Sequence, residues 1–183
     1  MMKILKTTAS FILLCTITAN AQVTKGNWMV GGNANFSSSK SESTFNNDTV
    51  ITKGSALAIS PTLGYFIIDK LALGLGGSFV LSLPTGGSSS NGYGFGPFAR
   101  YYFLKPEKTI NILTQISYGY FKNSSGSDGD NFSIKAGPVV YFNSSVGLEF
   151  LVDYTVNTYN NQDVTSKTSG INVGFGLQIH LEK

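Results

Sequence analysis

Two carboxylates, Glu149 and Asp153, stand four residues apart, and two cations, Arg100 and Lys135, precede them in the chain. Such a set could serve acid–base chemistry, or each carboxylate could neutralise one cation. On an extended chain four residues span about 13 Å, beyond the roughly 5–9.5 Å at which paired carboxylates cleave glycosidic bonds. Ion pairing is therefore the expectation. His180 is the single histidine and sits beside Gln178 with no serine nucleophile next to it, so it reads as a structural side chain. Asp128-Gly129-Asp130 could touch Ca²⁺, but two carboxylates are too few for an oxygen cage of six to eight ligands. The glycines of Gly92-x-Gly94-x-Gly96 and Gly74-x-Gly76-Gly77 alternate along extended segments, and no helix follows to bind phosphate. These residues assemble into no catalytic, metal or cofactor set.

What must position them is a series of alternating segments. In Ala56–Tyr65 the odd positions are Leu57, Ile59, Pro61, Leu63 and Tyr65, and the even ones Ala56, Ala58, Ser60, Thr62 and Gly64. Strand side chains point to opposite faces with period two, so each such segment has one apolar face and one small, polar face. Eight strands are expected: Asn27–Phe36, Ser55–Phe66, Leu71–Leu83, Tyr93–Leu104, Ile110–Phe121, Asn131–Phe142, Val146–Thr158 and Gly170–Leu181. Most are long enough to cross a bilayer at about 45° of tilt. Long polar connections (Ser37–Gly54, Pro84–Gly92, Lys122–Asp130, Tyr159–Ser169) alternate with tight ones (Ile67–Lys70, Lys105–Thr109, Asn143–Ser145). That rhythm is the one expected of membrane barrels with long loops on the outer side.

Face parity sets the registers. Phe142 and Val146 share the apolar face, so an odd-numbered turn, Asn143-Ser144-Ser145, should join them and place Lys135 opposite Asp153. Counted up from the tight turns, Arg100 and Glu149 fall at similar heights, as do Lys135 and Asp153. Two stacked ion-pair layers inside the barrel follow as the expectation, because an unpaired buried charge costs several kcal/mol.

The N-terminus reads as a secretory signal peptide over residues 1–21. Lys3 and Lys6 precede an apolar core, Phe11–Ile17, and Ala19-Asn20-Ala21 supplies a cleavage site before Gln22. Residues 22–183 then form one domain without the only cysteine, Cys15. In it eleven Lys/Arg face ten Asp/Glu with no basic stripe, which argues against nucleic acid as a partner. Charged residues make up 13% of the chain, well under the quarter or so usual for soluble domains.

That scarcity bears on which face meets solvent. A water-soluble barrel would wet its polar faces with Lys and Glu, whereas these carry Gly, Ala, Ser and Asn. The apolar faces bear Trp28, Leu57, Leu73, Phe95, Ile112, Ile134, Phe150 and Phe175, too bulky to share a narrow interior. Aromatics also gather near strand ends (Trp28, Tyr65, Phe66, Tyr93, Tyr101, Phe103, Tyr120, Phe142), as girdles at the two lipid boundaries would. The fold class expected is all-β: an eight-stranded antiparallel up-and-down transmembrane β-barrel. Phe98, Arg100, Tyr102, Lys135, Tyr141 and Leu151 point inward and should fill the lumen against small residues on strands two, three and eight.

Four segments carry a resemblance: Lys25-Gly26-Asn27-Trp28, Tyr65-Phe66-Ile67-Ile68-Asp69-Lys70-Leu71-Ala72-Leu73-Gly74, Gly96-Pro97-Phe98-Ala99-Arg100-Tyr101-Tyr102-Phe103 and Gly137-Pro138-Val139-Val140-Tyr141-Phe142. With them the chain resembles the small outer-membrane β-barrel domains of the OmpA/OmpX-like, porin-family group. The resemblance implies location in the outer membrane of a Gram-negative bacterium and carries no catalytic residue. The expected protein is not an enzyme and holds no cofactor or metal. It is a monomer with a plugged lumen and a structural or surface-interaction role through four extracellular loops. Its partners would be outer-membrane lipids and lipopolysaccharide, the barrel-assembly machinery during insertion, and an extracellular ligand or surface met by the loops. The alternative is a narrow porin-like channel for small solutes; a lipid hydrolase dependent on His180 and a soluble periplasmic ligand binder stand further back.

Overall fold

The computed structural model describes residues 23–45, 48–86, 88–124, 126–161 and 164–181. The signal peptide expected over 1–21, with Cys15 and the cleavage before Gln22, lies outside the described residues. The strands are β1 (Trp28–Phe45), β2 (Asp48–Ile68), β3 (Leu71–Pro84), β4 (Ser90–Tyr102), β5 (Ile110–Asn123), β6 (Asp128–Tyr141), β7 (Val146–Asn161) and β8 (Val164–Leu181). Each pairs antiparallel with its sequence neighbours, and β1 pairs with β8 to close the barrel.

The stagger follows from the ladder. Along one row Trp28 pairs with Tyr65, and the row continues through Leu73, Ala99, Ile116, Ile134 and Tyr154 to Ile171. Yet Trp28 itself pairs with Leu181, ten residues further down β8. Closure with that offset requires strands tilted by about 35–45° to the axis, around an interior that side chains can fill.

Alternation sorts the two faces as the period-two pattern requires. Many large apolar residues of the outward face are well exposed, from Phe150 at 38% to Ile171 at 73%. The fully buried side chains are inward ones, including Met29, Phe66, Tyr102, Leu113, Val139, Gln178 and His180. Phe66 thus stands inside the barrel and not in an aromatic girdle. Its neighbour Tyr65 points outward beside Trp28, with ring centroids 5.1 Å apart, and consecutive residues cannot share a face. Large inward residues lie over small ones. A Cβ at Gly64 or Gly74 would run into the Phe98 ring, and one at Gly147 would meet Val139 and Tyr141.

Three prolines sit in strand interiors, and each interrupts the ladder on one side. Pro61 pairs with Gly32 of β1, but the β2–β3 ladder skips from Ile59 to Thr62. Pro97 and Pro138 likewise pair with Leu75 and Ile112, while the β4–β5 and β6–β7 ladders lapse beside them. The cause is the missing N–H, which removes one ladder donor.

The long connections differ from the loops expected at Ser37–Gly54 and Tyr159–Ser169. The β1–β2 ladder runs on to Phe45 opposite Asp48, and the β7–β8 ladder to Asn161 opposite Val164. The tall ends are paired ribbons. Ser, Thr and Asn recur at odd and even positions alike in these sequences, so the hydrophobic alternation that betrays a strand disappears while the backbone pairing continues. At the other end β4 stops at Tyr102, and seven residues rather than five lead to Ile110. Phe142 and Val146 do face each other across the last turn, joined by the Phe142 N–H to the Val146 carbonyl at 2.9 Å.

Candidate functional site

The interior has two halves. Towards the short turns, buried side chains occupy the space, and Val23 adds to them from the segment before β1. Its carbonyl accepts the Lys70 N–H at 2.8 Å, and its side chain is fully buried. His180 belongs to this floor, with ring centroids of Phe66, Tyr102 and Tyr141 at 5.5, 5.9 and 5.6 Å. Its surroundings are aromatic; Met29 is its ladder partner on β1, and on the other side its backbone N–H donates to the Ser145 carbonyl at 2.6 Å.

Above the floor lies one polar knot. Arg100 Nη1 donates to Glu149 Oε1 at 2.5 Å, to Gln178 Oε1 at 2.9 Å and to the Tyr102 hydroxyl at 3.3 Å. Its Nε donates to Gln115 Oε1 at 2.8 Å. The four partners come from β4, β5, β7 and β8, so the guanidinium ties the lumen across its width. All four are nearly or fully buried. The planar fork of arginine suits this geometry, since it presents five donors from one charge. Phe98 packs against the same group, with the guanidinium carbon 5.9 Å from its ring centre.

Lys135 and Asp153 form the second charged site. They are register partners across β6 and β7, and Lys135 Nζ lies 3.7 Å from Asp153 Oδ2. The Ser133 hydroxyl donates to the other oxygen, Asp153 Oδ1, at 2.5 Å. This pair is about one-fifth exposed, so its geometry is looser and water reaches it. Glu149 and Asp153 therefore engage different cations and make no shared carboxylate site. Asp128 and Asp130 stand opposite Lys122 and Tyr120 on the ladder. No group of three or more His, Cys, Asp or Glu side chains converges among the described residues.

From the Arg100–Glu149 level upward the lumen opens into a cavity of about 520 Å³. Gly, Ser, Asn and Thr side chains make up most of its wall, with Lys135 and Asp153 part-way up. Both charged pairs are internally neutralised, so the cup offers hydroxyls and amides more than net charge. Gln115 and Gln178, which complete the Arg100 knot, carry no charge and no motif. Their inward parity was the one signal in the sequence that could have marked them.

The sequence matches no protein-family model and no curated protein. Solved structures share its architecture. The outer membrane protein OprG from Pseudomonas aeruginosa aligns over 90% of this chain and 100% of its own, with a TM-score of 0.57 and 12% identity. Neisserial surface protein A aligns over 85% of this chain and 97% of its own, with a TM-score of 0.56 and 16% identity. Likeness at such low identity concerns the path of the backbone, and on that ground this chain has the closed eight-stranded β-barrel fold seen in these two bacterial envelope proteins.

Proposed function

We propose that this protein is an integral barrel of the outer membrane of a Gram-negative bacterium, blocked across its lumen, that anchors polar ribbons outside the cell. The observation that carries the reading is the pairing of an exposed apolar belt with a buried floor. Lipid is the solvent that makes a belt of Leu, Ile, Phe and Tyr stable on the outside, and closure pairs the ladder groups within it except along the upper part of the β1–β8 seam. The floor, from Val23 and His180 up to the Arg100 knot, supports a role without through-flow. The ribbons ending at Phe45–Asp48 and Asn161–Val164 are the surfaces on which a ligand or another cell surface would be met, and lipid with lipopolysaccharide surrounds the belt.

A narrow channel is the second reading, favoured by the cavity that already hollows the upper lumen. Planar-bilayer recording separates the two. The blocked barrel is expected to give no steady single-channel current at neutral pH, whereas regular, reproducible conductance steps would establish the channel. The location is tested by fractionation: the protein should leave the outer membrane only with detergent, and release by salt or alkaline carbonate would overturn the membrane reading.

A further inference from the structure

The ladder between β1 and β8 is the shortest in the barrel. It runs from Trp28–Leu181 to Asn33–Gly176 and stops, although β1 continues to Phe45 and β8 begins at Val164. Over Ala34–Ser39 and Gly170–Phe175 each strand keeps its other neighbour but has no ladder partner across the seam. The seam does not lie safely above the apolar belt. Phe36, Ile171, Val173 and Phe175 border it and are 62–73% exposed, and the latter three pair with the belt residues Tyr154, Val152 and Phe150. Unpaired backbone at this level costs several kcal/mol per group in hydrocarbon, so the edges have reason to find partners. On the same flank β8 contributes no residue to the lining of the cup.

The partner that fits each edge is the other one. Extending the register of the six existing pairs sets Ala34 against Phe175, Phe36 against Val173 and Ser38 against Ile171, all on the outward face. Inward, it sets Asn35 against Gly174, Ser37 against Asn172 and Ser39 against Gly170. Apolar meets apolar at Phe36–Val173, and the inward side chains meet glycine at two of three positions, where the glycines have open space around them. The backbone next to the end of the ladder is also unusual. Gly32 holds φ of +152°, a conformation side-chain-bearing residues rarely adopt, immediately below the last seam pair. It faces Pro61, beside which the β2–β3 ladder lapses, so β1 and β2 can flex together there.

We infer that the seam is a side door to the cup, hinged at Gly32, which zips shut in the register already set by Trp28–Asn33 and Gly176–Leu181. Closed, it seals the cup from the surrounding belt; open, it joins the two at belt level.

Two double-cysteine variants made in a Cys15→Ser background test this: Phe36→Cys with Val173→Cys, in register, and Phe36→Cys with Ile171→Cys, two residues out. A disulfide needs Cβ atoms about 3.5–4.5 Å apart. On mild oxidation of the full-length protein in vesicles, the in-register pair should cross-link at least about tenfold faster than the displaced pair. Heat-dependent gel mobility of the reduced proteins confirms that both have folded. Equal rates would mean edges that flap without register, and folded protein with no cross-link in either variant would mean a permanently open seam; each overturns the inference. The test reads strand pairing alone, so it stands whether or not the bilayer recordings show conductance.

Discussion

Glu149→Ala is expected to destabilise the barrel by about 3–5 kcal/mol, because it leaves the Arg100 guanidinium buried without its counter-charge. Arg100 is 3% exposed and Glu149 equally so, which denies the orphaned charge the water that would soften the loss. Gln115, Gln178 and Tyr102 would remain as neutral acceptors and recover only part of it. Replacing both partners tells a different story. Arg100→Met with Glu149→Leu removes the charges together, and such replacements of buried pairs are often neutral or stabilising by about 1–4 kcal/mol. Urea unfolding in lipid vesicles measures all three proteins. A single variant as stable as the parent would show that the pair is not held in a dry interior.

The second large effect concerns the outer face. Leu75 is 64% exposed in the middle of β3, between Leu71 at the turn and Leu83 near the far end. Were that face in water, Leu75→Arg would be close to neutral. In a bilayer a cation at mid-depth costs about 2–4 kcal/mol, falling to about 0–1 near the boundaries. Leu75→Arg should therefore cost that larger sum and Leu83→Arg little, with the same vesicle unfolding as the readout. Equal, negligible losses at both positions would remove lipid from the description of this protein.

The outward and inward sets were legible in the sequence because side-chain direction in a strand depends on parity alone. So were the hairpin around Asn143–Ser145 and the placing of Lys135 opposite Asp153, which need only the parity of one short turn. The polar ribbons at Ser37–Gly54 and Tyr159–Ser169 were not legible. Pairing there rests on backbone hydrogen bonds, and polar residues at odd and even positions alike leave no periodic trace of it. Phe66 escaped for a different reason: a ring near a strand end suggests a girdle, but its parity, opposite to that of Tyr65, sends it into the floor. Val23 lies outside every alternating segment, so nothing local marks it as buried.

By itself, then, the sequence determined strand, face and order along the chain, since these follow from period-two geometry and from short turns between neighbours. Which side chains share a level was decided only by closure. The ten-residue offset between the two rows that meet on β8 brings Gln178 to Arg100 across 78 positions of chain. Offset is a property of the whole ring of strands, summed over eight registers, and no single segment contains it.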